Sequence, residues 1–392
     1  MKKYSLHFGR KLLNNSFLIR IFVSVIFLII FLNGFVFIEP APAEYLLTFS
    51  IPLFLILGKI KIKPLFIFLF LSFINLFSFL VTANLASVIN ARFLVINLYM
   101  FLTFFLFSTI DAREIGTFLD KFFVFWTASI FVNLFFYFVG ILISRNILFG
   151  VAVINFGIRF QGFFKDPNVL GPFIVPPLIY WINKFLIKRS FKRLLVILFL
   201  SLSLLLTFSR GAYLNFLISF LFNIYLNKKL YPKIRFKNVL LIGVVLAFML
   251  FLILKLNIVI LGFSLRNFAI QRFVVMQSYD IDRFKAQKSV INLIKESPLF
   301  GIGIGNYNNI VNYAAHNSYV RILGETGIIG FLFSMLILVF ILYDRFRTLR
   351  GSNGNIAAVL YSSLIGVLGE SFFVDTLHWR FFWIILGLLY AI

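Results

Sequence analysis

Between residues 297 and 330 a chain otherwise rich in hydrocarbon reads SPLFGIGIGNYNNIVNYAAHNSYVRILGETGIIG, a dense run of glycines and amides with one histidine, one arginine and one glutamate. Polar groups at this density, set among membrane-compatible residues, are costly unless they face water, protein or substrate. Asn317, Arg321 and Glu325 follow at i, i+4 and i+8, so they form one stripe of a helix that begins at His316. Two readings fit that stripe. One is an intrahelical Arg321 to Glu325 pair that solvates a helix end, with His316 as an interfacial residue. The other uses an imidazole with an ordinary pKa of about 6.5 at a water-accessible helix start, suited to taking a proton from a hydroxyl.

Arginines supply the second candidate chemistry. Arg159, Arg210, Arg266, Arg272, Arg283 and Arg321 are far apart in sequence, yet the span pattern below puts all six on one outer face. Each taken singly is open to a plainer reading, a side chain snorkelling to the interface. Taken together, planar and permanently charged forks suit a diphosphate. A lipid-linked diphosphate is the natural anionic substrate for a cavity open to lipid, and stabilising its charge as it leaves would be the main catalytic contribution.

Other motifs point to structure. Gly301, Gly303 and Gly305 form a G-x-G-x-G with no preceding strand and no following Lys-Ser/Thr, which excludes a nucleotide loop. They read instead as irregular backbone re-entering the protein, and Gly324, Gly327 and Gly330 as a small-residue helix face. Asp166 before Pro167 reads as a helix N-cap with proline at the first helical position. Asp280 and Asp282 read as acids opening a helix rather than as metal ligands, and no His/Glu cluster at zinc spacing or Ser/His/Asp arrangement is present in the sequence.

The elements that must hold these residues are membrane helices. The chain has 392 residues, 61% of them hydrophobic and 57 of them phenylalanine, and its mean hydropathy is +1.02. Those values exclude a soluble globular domain. Apolar runs long enough to span a roughly 30 Å hydrocarbon layer predict about twelve transmembrane helices. They fall at 17–37, 45–58, 64–82, 93–110, 122–143, 169–187, 194–208, 212–226, 239–256, 318–343, 356–371 and 381–392. Lys and Arg concentrate before the first span and in every second connection thereafter, which places both termini in the cytoplasm. The net charge of +24 is spread over short loops at membrane spacing, so it argues against nucleic acid as a partner. Ala41-Pro42-Ala43 resembles a signal-peptidase site, but the apolar run before it is too long for a cleaved leader. With no cysteine, disulfides and thiolate metal sites are excluded.

The expected fold class is therefore all-α, a single integral-membrane domain over 1–392 with a large outer loop at 257–317 between spans nine and ten. A smaller excursion runs over 144–168. Within the large loop, Ile281, Phe284, Ile291 and Ile294 recur at helical spacing, with Arg283, Lys285, Gln287, Lys288 and Asn292 between them. This predicts an amphipathic helix on the membrane, serving either anionic-lipid attraction or substrate binding.

Four pieces of the chain resemble the O-antigen ligase and polymerase family of bacterial surface-glycan enzymes. They are Arg159-x-Gln161-Gly162 with Asp166-Pro167-Asn168; Ser209-Arg210-Gly211; Arg283 ahead of Pro298-Leu299-Phe300-Gly301-Ile302-Gly303; and His316-Asn317-Ser318-Tyr319 with Glu325-x-Gly327. The resemblance implies a multi-pass enzyme of the bacterial inner membrane acting on the periplasmic face. Its donor would be an undecaprenyl-diphosphate-linked glycan, passed en bloc to the lipid A core (ligase) or to another lipid-linked repeat unit (polymerase). It also implies that outer arginines hold the diphosphate, that His316 is the candidate base, and that neither metal nor cofactor is needed. Within that frame His316, Arg210 and Arg283 are the candidate catalytic residues, and Arg159, Arg266, Arg272, Asn317, Arg321 and Glu325 the candidate substrate contacts. Ligase is slightly favoured over polymerase, although the outer loop is short for a ligase. A transporter or flippase for lipid-linked glycan is the rival of another class, disfavoured because the polar residues collect on one face and no paired interrupted helices are evident. A bare structural scaffold would not retain an outward arginine excess.

Overall fold

A computed structural model of the chain describes residues 16–82, 88–111, 117–156, 158–228, 278–307, 316–350 and 355–392, and between 255 and 271 only 255, 259–260, 262–264, 266–267 and 270–271. Among the described residues the long elements are all helices. They are α1 (Ser16–Leu32), α2 (Pro42–Leu57), α3 (Ile62–Val81), α4 (Val88–Thr109), α5 (Phe118–Leu142), α6 (Pro167–Ile187), α7 (Phe191–Leu206), α8 (Arg210–Leu226), α9 (Ser278–Glu296), α10 (Ser318–Arg350), α11 (Asn355–Glu370) and α12 (Arg380–Ala391). Strands among the described residues are two-residue antiparallel pairs, two within 147–160 and one within 259–264. Eleven of the twelve expected spans correspond to α1–α8 and α10–α12; the ninth, expected at 239–256, lies outside the described residues apart from residue 255. Among the described residues five helices are long and apolar enough to cross a membrane, and shorter apolar helices accompany them. This is the architecture of an all-α polytopic membrane protein.

Helix α6 shows how such a segment survives its own sequence. Asp166 caps it, its carboxylate accepting from Asn168 N at 2.7 Å, and Pro167 follows at the first helical position, where no N–H is needed. Pro172, Pro176 and Pro177 lie inside the helix. A proline cannot bond the carbonyl four residues back, and in a bilayer that carbonyl must find another donor. For Pro177 the orphan is Phe173 O, and the buried Trp126 indole donates to it at 3.1 Å. Amides join neighbouring helices elsewhere. Asn183 and Asn223 exchange hydrogen bonds between α6 and α8, and Asn97 donates to Asn75 between α4 and α3. Between helices already in lipid such bonds matter because apolar burial supplies little drive.

Charged pairs mark two opposite ends of the bundle. At one end Lys59 meets Asp111, Lys63 meets Asp344, and Lys184 meets Asp120, while Arg193 donates to Lys184 O and Lys188 O. At the other, Glu39 pairs with Arg92 and Lys165, Arg380 with Glu44, and Arg321 with Asp375. The connections expected on a common face therefore meet at a common end. Between the ends, large side chains such as Phe49, Phe135, Leu336 and Val339 stand exposed, as a lipid-facing surface requires.

Helix α12 has 12 residues, about 18 Å long at 1.5 Å per residue, too short to span lipid unaided. It does not need to. Every residue from Phe381 to Ala391 is buried by protein, with Trp383 edge-on to Phe101 and Tyr390 edge-on to Phe104 of α4.

Candidate functional site

Helix α10 is interrupted at Gly327, whose φ of +66° and ψ of −173° lie outside any helix. The break strands backbone groups that the segment after α9 takes up. Ile302 N donates to Gly324 O, Gly303 N to Glu325 O, Ile328 N to Pro298 O and Ile329 N to Leu299 O, all between 2.9 and 3.2 Å. Ser78 Oγ adds a second donor to Glu325 O. A Cβ on Gly327 would lie 2.4 Å from Leu299 O, and one on Gly301 2.4 Å from Gly327 N, so both positions are closed to side chains. The glycine-rich run is thus a re-entrant strap, as its composition predicts. The interruption of α10 itself goes beyond the sequence reading, which has Gly327 on a packing face.

The His316–Tyr319 motif forms the joint between α10 and the turn after α11. Asn317 Oδ1 accepts from Tyr319 N and Val320 N at 3.0 Å, capping α10. Ser318 N donates to Ser371 O, and Ser318 Oγ accepts from Thr376 N at 2.8 Å. Tyr319 donates its hydroxyl to Leu368 O and lies 4.4 Å from the Phe372 ring. Three of the four residues thus serve as scaffold. His316, half-buried and held at a φ of +46°, begins the motif.

One turn into α10, Arg321 is 6% exposed and sits between two carboxylates. Its Nε donates to Glu325 Oε1 at 3.2 Å, and its Nη1 contacts Asp375 Oδ2. Its guanidinium also lies 4.9 Å from the Phe93 ring, whose own centroid is 5.7 Å from that of His378. Asp375 and His378 belong to the loop between α11 and α12, and sequence reasoning missed both. Burial alone would raise the Asp375 carboxyl, but Arg321, aided by His378, holds it down to about 2. Burial pushes the His378 imidazole down to about 4 against the pull of Asp375, so the ring is neutral at pH 7. Its Nε2 lies 3.1 Å from Asn97 Oδ1.

The remaining predicted residues divide by burial. Arg159, 3% exposed, donates from Nε to Thr207 O at 2.9 Å and from Nη2 to Asn168 Oδ1 at 3.0 Å, so it ties the 158–168 segment to the α7–α8 turn. Gln161 folds that segment on itself, accepting from Asn155 and donating to Phe164 O. Arg210, the first residue of α8 after the Ser209 cap, is exposed, and so is Arg266. Arg272 and the side chain of Arg283 lie outside the described residues, although Arg283 falls on α9. That helix opens with Asp280 and Asp282 in its first turns. It packs Ala286, Val290 and Leu293 against Ile302 and Tyr307, whereas Ile281 and Phe284 of the anticipated apolar stripe are exposed.

A cavity of about 180 Å³ lies beside this cluster, walled by Asn33, Glu39, Lys165, Asp375, His378 and Arg380. Its lining carries both signs of charge. Lys165, with Arg380 and Arg92 in support, holds the Glu39 carboxyl below its usual range despite burial. A second cavity, about 100 Å³, lies beneath Ser318, Glu325 and Thr376 and is bounded deeper in the bundle by Ile341, Trp383 and Leu386.

Fold and site together define a polytopic helical membrane protein with a charged, polar crown at one end of the bundle, built from five separate connections. Residues 195–335 match the family model described as O-antigen ligase. The matched stretch runs from within α7 to the middle of α10 and includes Ser209-Arg210-Gly211, Arg283, the glycine strap and the His316 motif. It supports the O-antigen ligase and polymerase family, whose members are membrane glycosyltransferase-like enzymes. No curated protein matches the chain.

Proposed function

We propose that the protein transfers a glycan en bloc from undecaprenyl diphosphate to an acceptor hydroxyl on the periplasmic face of the bacterial inner membrane, with both of its termini cytoplasmic. One observation carries the reading: the turn bearing Arg210 and the motif bearing His316, more than one hundred residues apart, dock on the consecutive residues Glu370 and Ser371. That proximity suits a hydroxyl base working beside a leaving-group cation. In the proposed step His316 takes the acceptor proton, the acceptor oxygen bonds to the anomeric carbon with inversion, and undecaprenyl diphosphate departs with the bonding electron pair. Arg210 and Arg283 balance its growing charge, and Arg266 and Arg272 extend the anionic contact. Arg159 and Arg321 act by position, the first holding the α7–α8 turn and the second fixing Glu325 and Asp375 beside Asn317. Lipid A core is the favoured acceptor.

Reconstituted protein given radiolabelled lipid-linked donor tests this. New glycosidic product without a membrane gradient is expected, and His316→Ala should abolish it while leaving the protein inserted and folded. Wild-type product from purified His316→Ala removes the base. Product on a lipid-linked repeat unit rather than on lipid A core assigns a polymerase, and movement of donor across the bilayer with no new bond assigns a transporter.

A further inference from the structure

Glu370, the last residue of α11, is fully buried, and nothing in the proposed chemistry uses it. Asn215 Nδ2 donates to its Oε2 at 2.8 Å, and Asn215 in turn accepts from Ser219 Oγ at 3.0 Å. Its Oε1 has no hydrogen-bond partner. A Cβ built on Gly211 would lie 2.6 Å from that oxygen, so the Ser209-Arg210-Gly211 turn rests directly on the carboxyl group. A residue needed only for packing would be apolar here, because a half-satisfied buried acid is expensive in a membrane bundle. The placement also matters. The backbone of Glu370 closes the following turn by accepting from Phe373 N and Val374 N, and the next residue, Ser371, receives Ser318 N of the histidine motif.

We propose that Glu370 is a positioning residue: its carboxyl group grips the first turns of α8 through Gly211 and Asn215 and so sets where Arg210 stands relative to His316. The proposal rests on the glycosyl-transfer reading. The carboxyl group faces the N-terminal turn of α8. One oxygen meets Gly211 while the other is held by Asn215 a turn further on, which fixes both the rotation and the height of α8. The close approach explains the glycine of the motif, since any side chain at 211 would displace the carboxyl group or the turn. A misplacement of about 1 Å in such a site costs on the order of 100-fold in rate, so the grip is felt in turnover rather than in substrate affinity.

The test uses full-length protein in proteoliposomes with lipid-linked donor. Glu370→Ala should lower kcat at least tenfold with the KM for acceptor unchanged within about twofold, and Glu370→Gln, which still accepts from Asn215, should recover at least a third of wild-type turnover. In an Arg210→Lys background, chosen to keep residual turnover measurable, Glu370→Ala should add less than about twofold, because its effect runs through residue 210. An undiminished loss in that background overturns the proposal, as does an unaltered kcat in Glu370→Ala. If Glu370→Ala does not fold, Gly211→Ala serves in its place, since its Cβ displaces the same turn while leaving the acid intact; its loss must shrink in the Arg210→Lys background or the proposal falls. The chain has no cysteine, so the double substitution Arg210→Cys with His316→Cys takes one spin label at each position and gives an independent distance. Adding Glu370→Ala should shift or broaden that distance and adding Glu370→Gln should not; an unchanged distance with Glu370→Ala counts against the grip. Wild-type transfer by both Arg210→Ala and His316→Ala would instead sink the catalytic reading beneath it.

Discussion

Gly327→Ala is the sharpest test of the interrupted helix. At a φ of +66° and a ψ of −173° the backbone occupies a region reserved for glycine, where a side chain costs about 1–3 kcal/mol. The added Cβ would also meet Leu299 O at 2.4 Å and Gly301 N at 2.5 Å, both main-chain atoms that cannot swing aside. Relieving the contact means parting the strap from α10 and losing about two of the four backbone bonds between them, at roughly 0.5–1.5 kcal/mol each. The expected loss is therefore on the order of 2–6 kcal/mol. Gly324→Ala is the control, because its Cβ would find Tyr307 at 3.4 Å and Val290 at 3.5 Å, ordinary contact distances in helical backbone. That change should be neutral or stabilising by up to about 1 kcal/mol. SDS titration of the detergent-solubilised protein, followed by tryptophan fluorescence, measures both. A Gly327→Ala protein within about 0.5 kcal/mol of wild type, or a Gly324→Ala protein equally damaged, refutes the reasoning.

Other consequences are open to the same measurement. Arg321→Ala leaves Glu325 and Asp375 as unpaired buried charges and should cost about 3–5 kcal/mol, a loss that combining it with Glu325→Gln and Asp375→Asn should largely reverse. Trp126→Phe keeps the ring but strands the Phe173 carbonyl freed by Pro177, and about 1–3 kcal/mol should disappear. For His378 the pKa falls from its ordinary 6.5 to about 4, so the unfolded chain takes up a proton first and stability declines as pH drops from 6.5 towards 4. A flat unfolding profile across that window, or one that His378→Gln leaves unchanged, contradicts the burial of a neutral ring.

Much of the fold is legible in the chain because lipid imposes one rule, that backbone groups be satisfied within helices, and apolar run length reports it directly. Asp166-Pro167 could be read as an N-cap from two residues, since capping is local chemistry. The break at Gly327 could not, because a glycine among Gly324, Gly327 and Gly330 looks the same whether it packs a neighbouring helix or ends its own; only the strap of 298–303, distant from it in the chain's path, decides. The candidate site was half legible. The residues of 316–325 announce themselves by density, whereas Glu370 closes an apolar span and Asp375 and His378 follow it in what reads as an ordinary short loop. A signal was available: the chain has only 13 acidic residues, and two of them, Glu370 and Asp375, fall in this stretch. On α9 the apolar period gave the helix, whose Ile281 and Phe284 stay exposed, while Ala286, Val290 and Leu293, unremarked in the sequence, pack against Ile302 and Tyr307.

The enclosure of α12 has a consequence in time. Its binding face on α4 is complete in the nascent chain by residue 109, yet the partner that covers that face begins at residue 380. At roughly 5–20 residues per second the interval is on the order of 15–60 s. Throughout that wait Phe101 and Phe104 must be sheltered by lipid or by a provisional neighbour, until α12 is made and takes its place against α4.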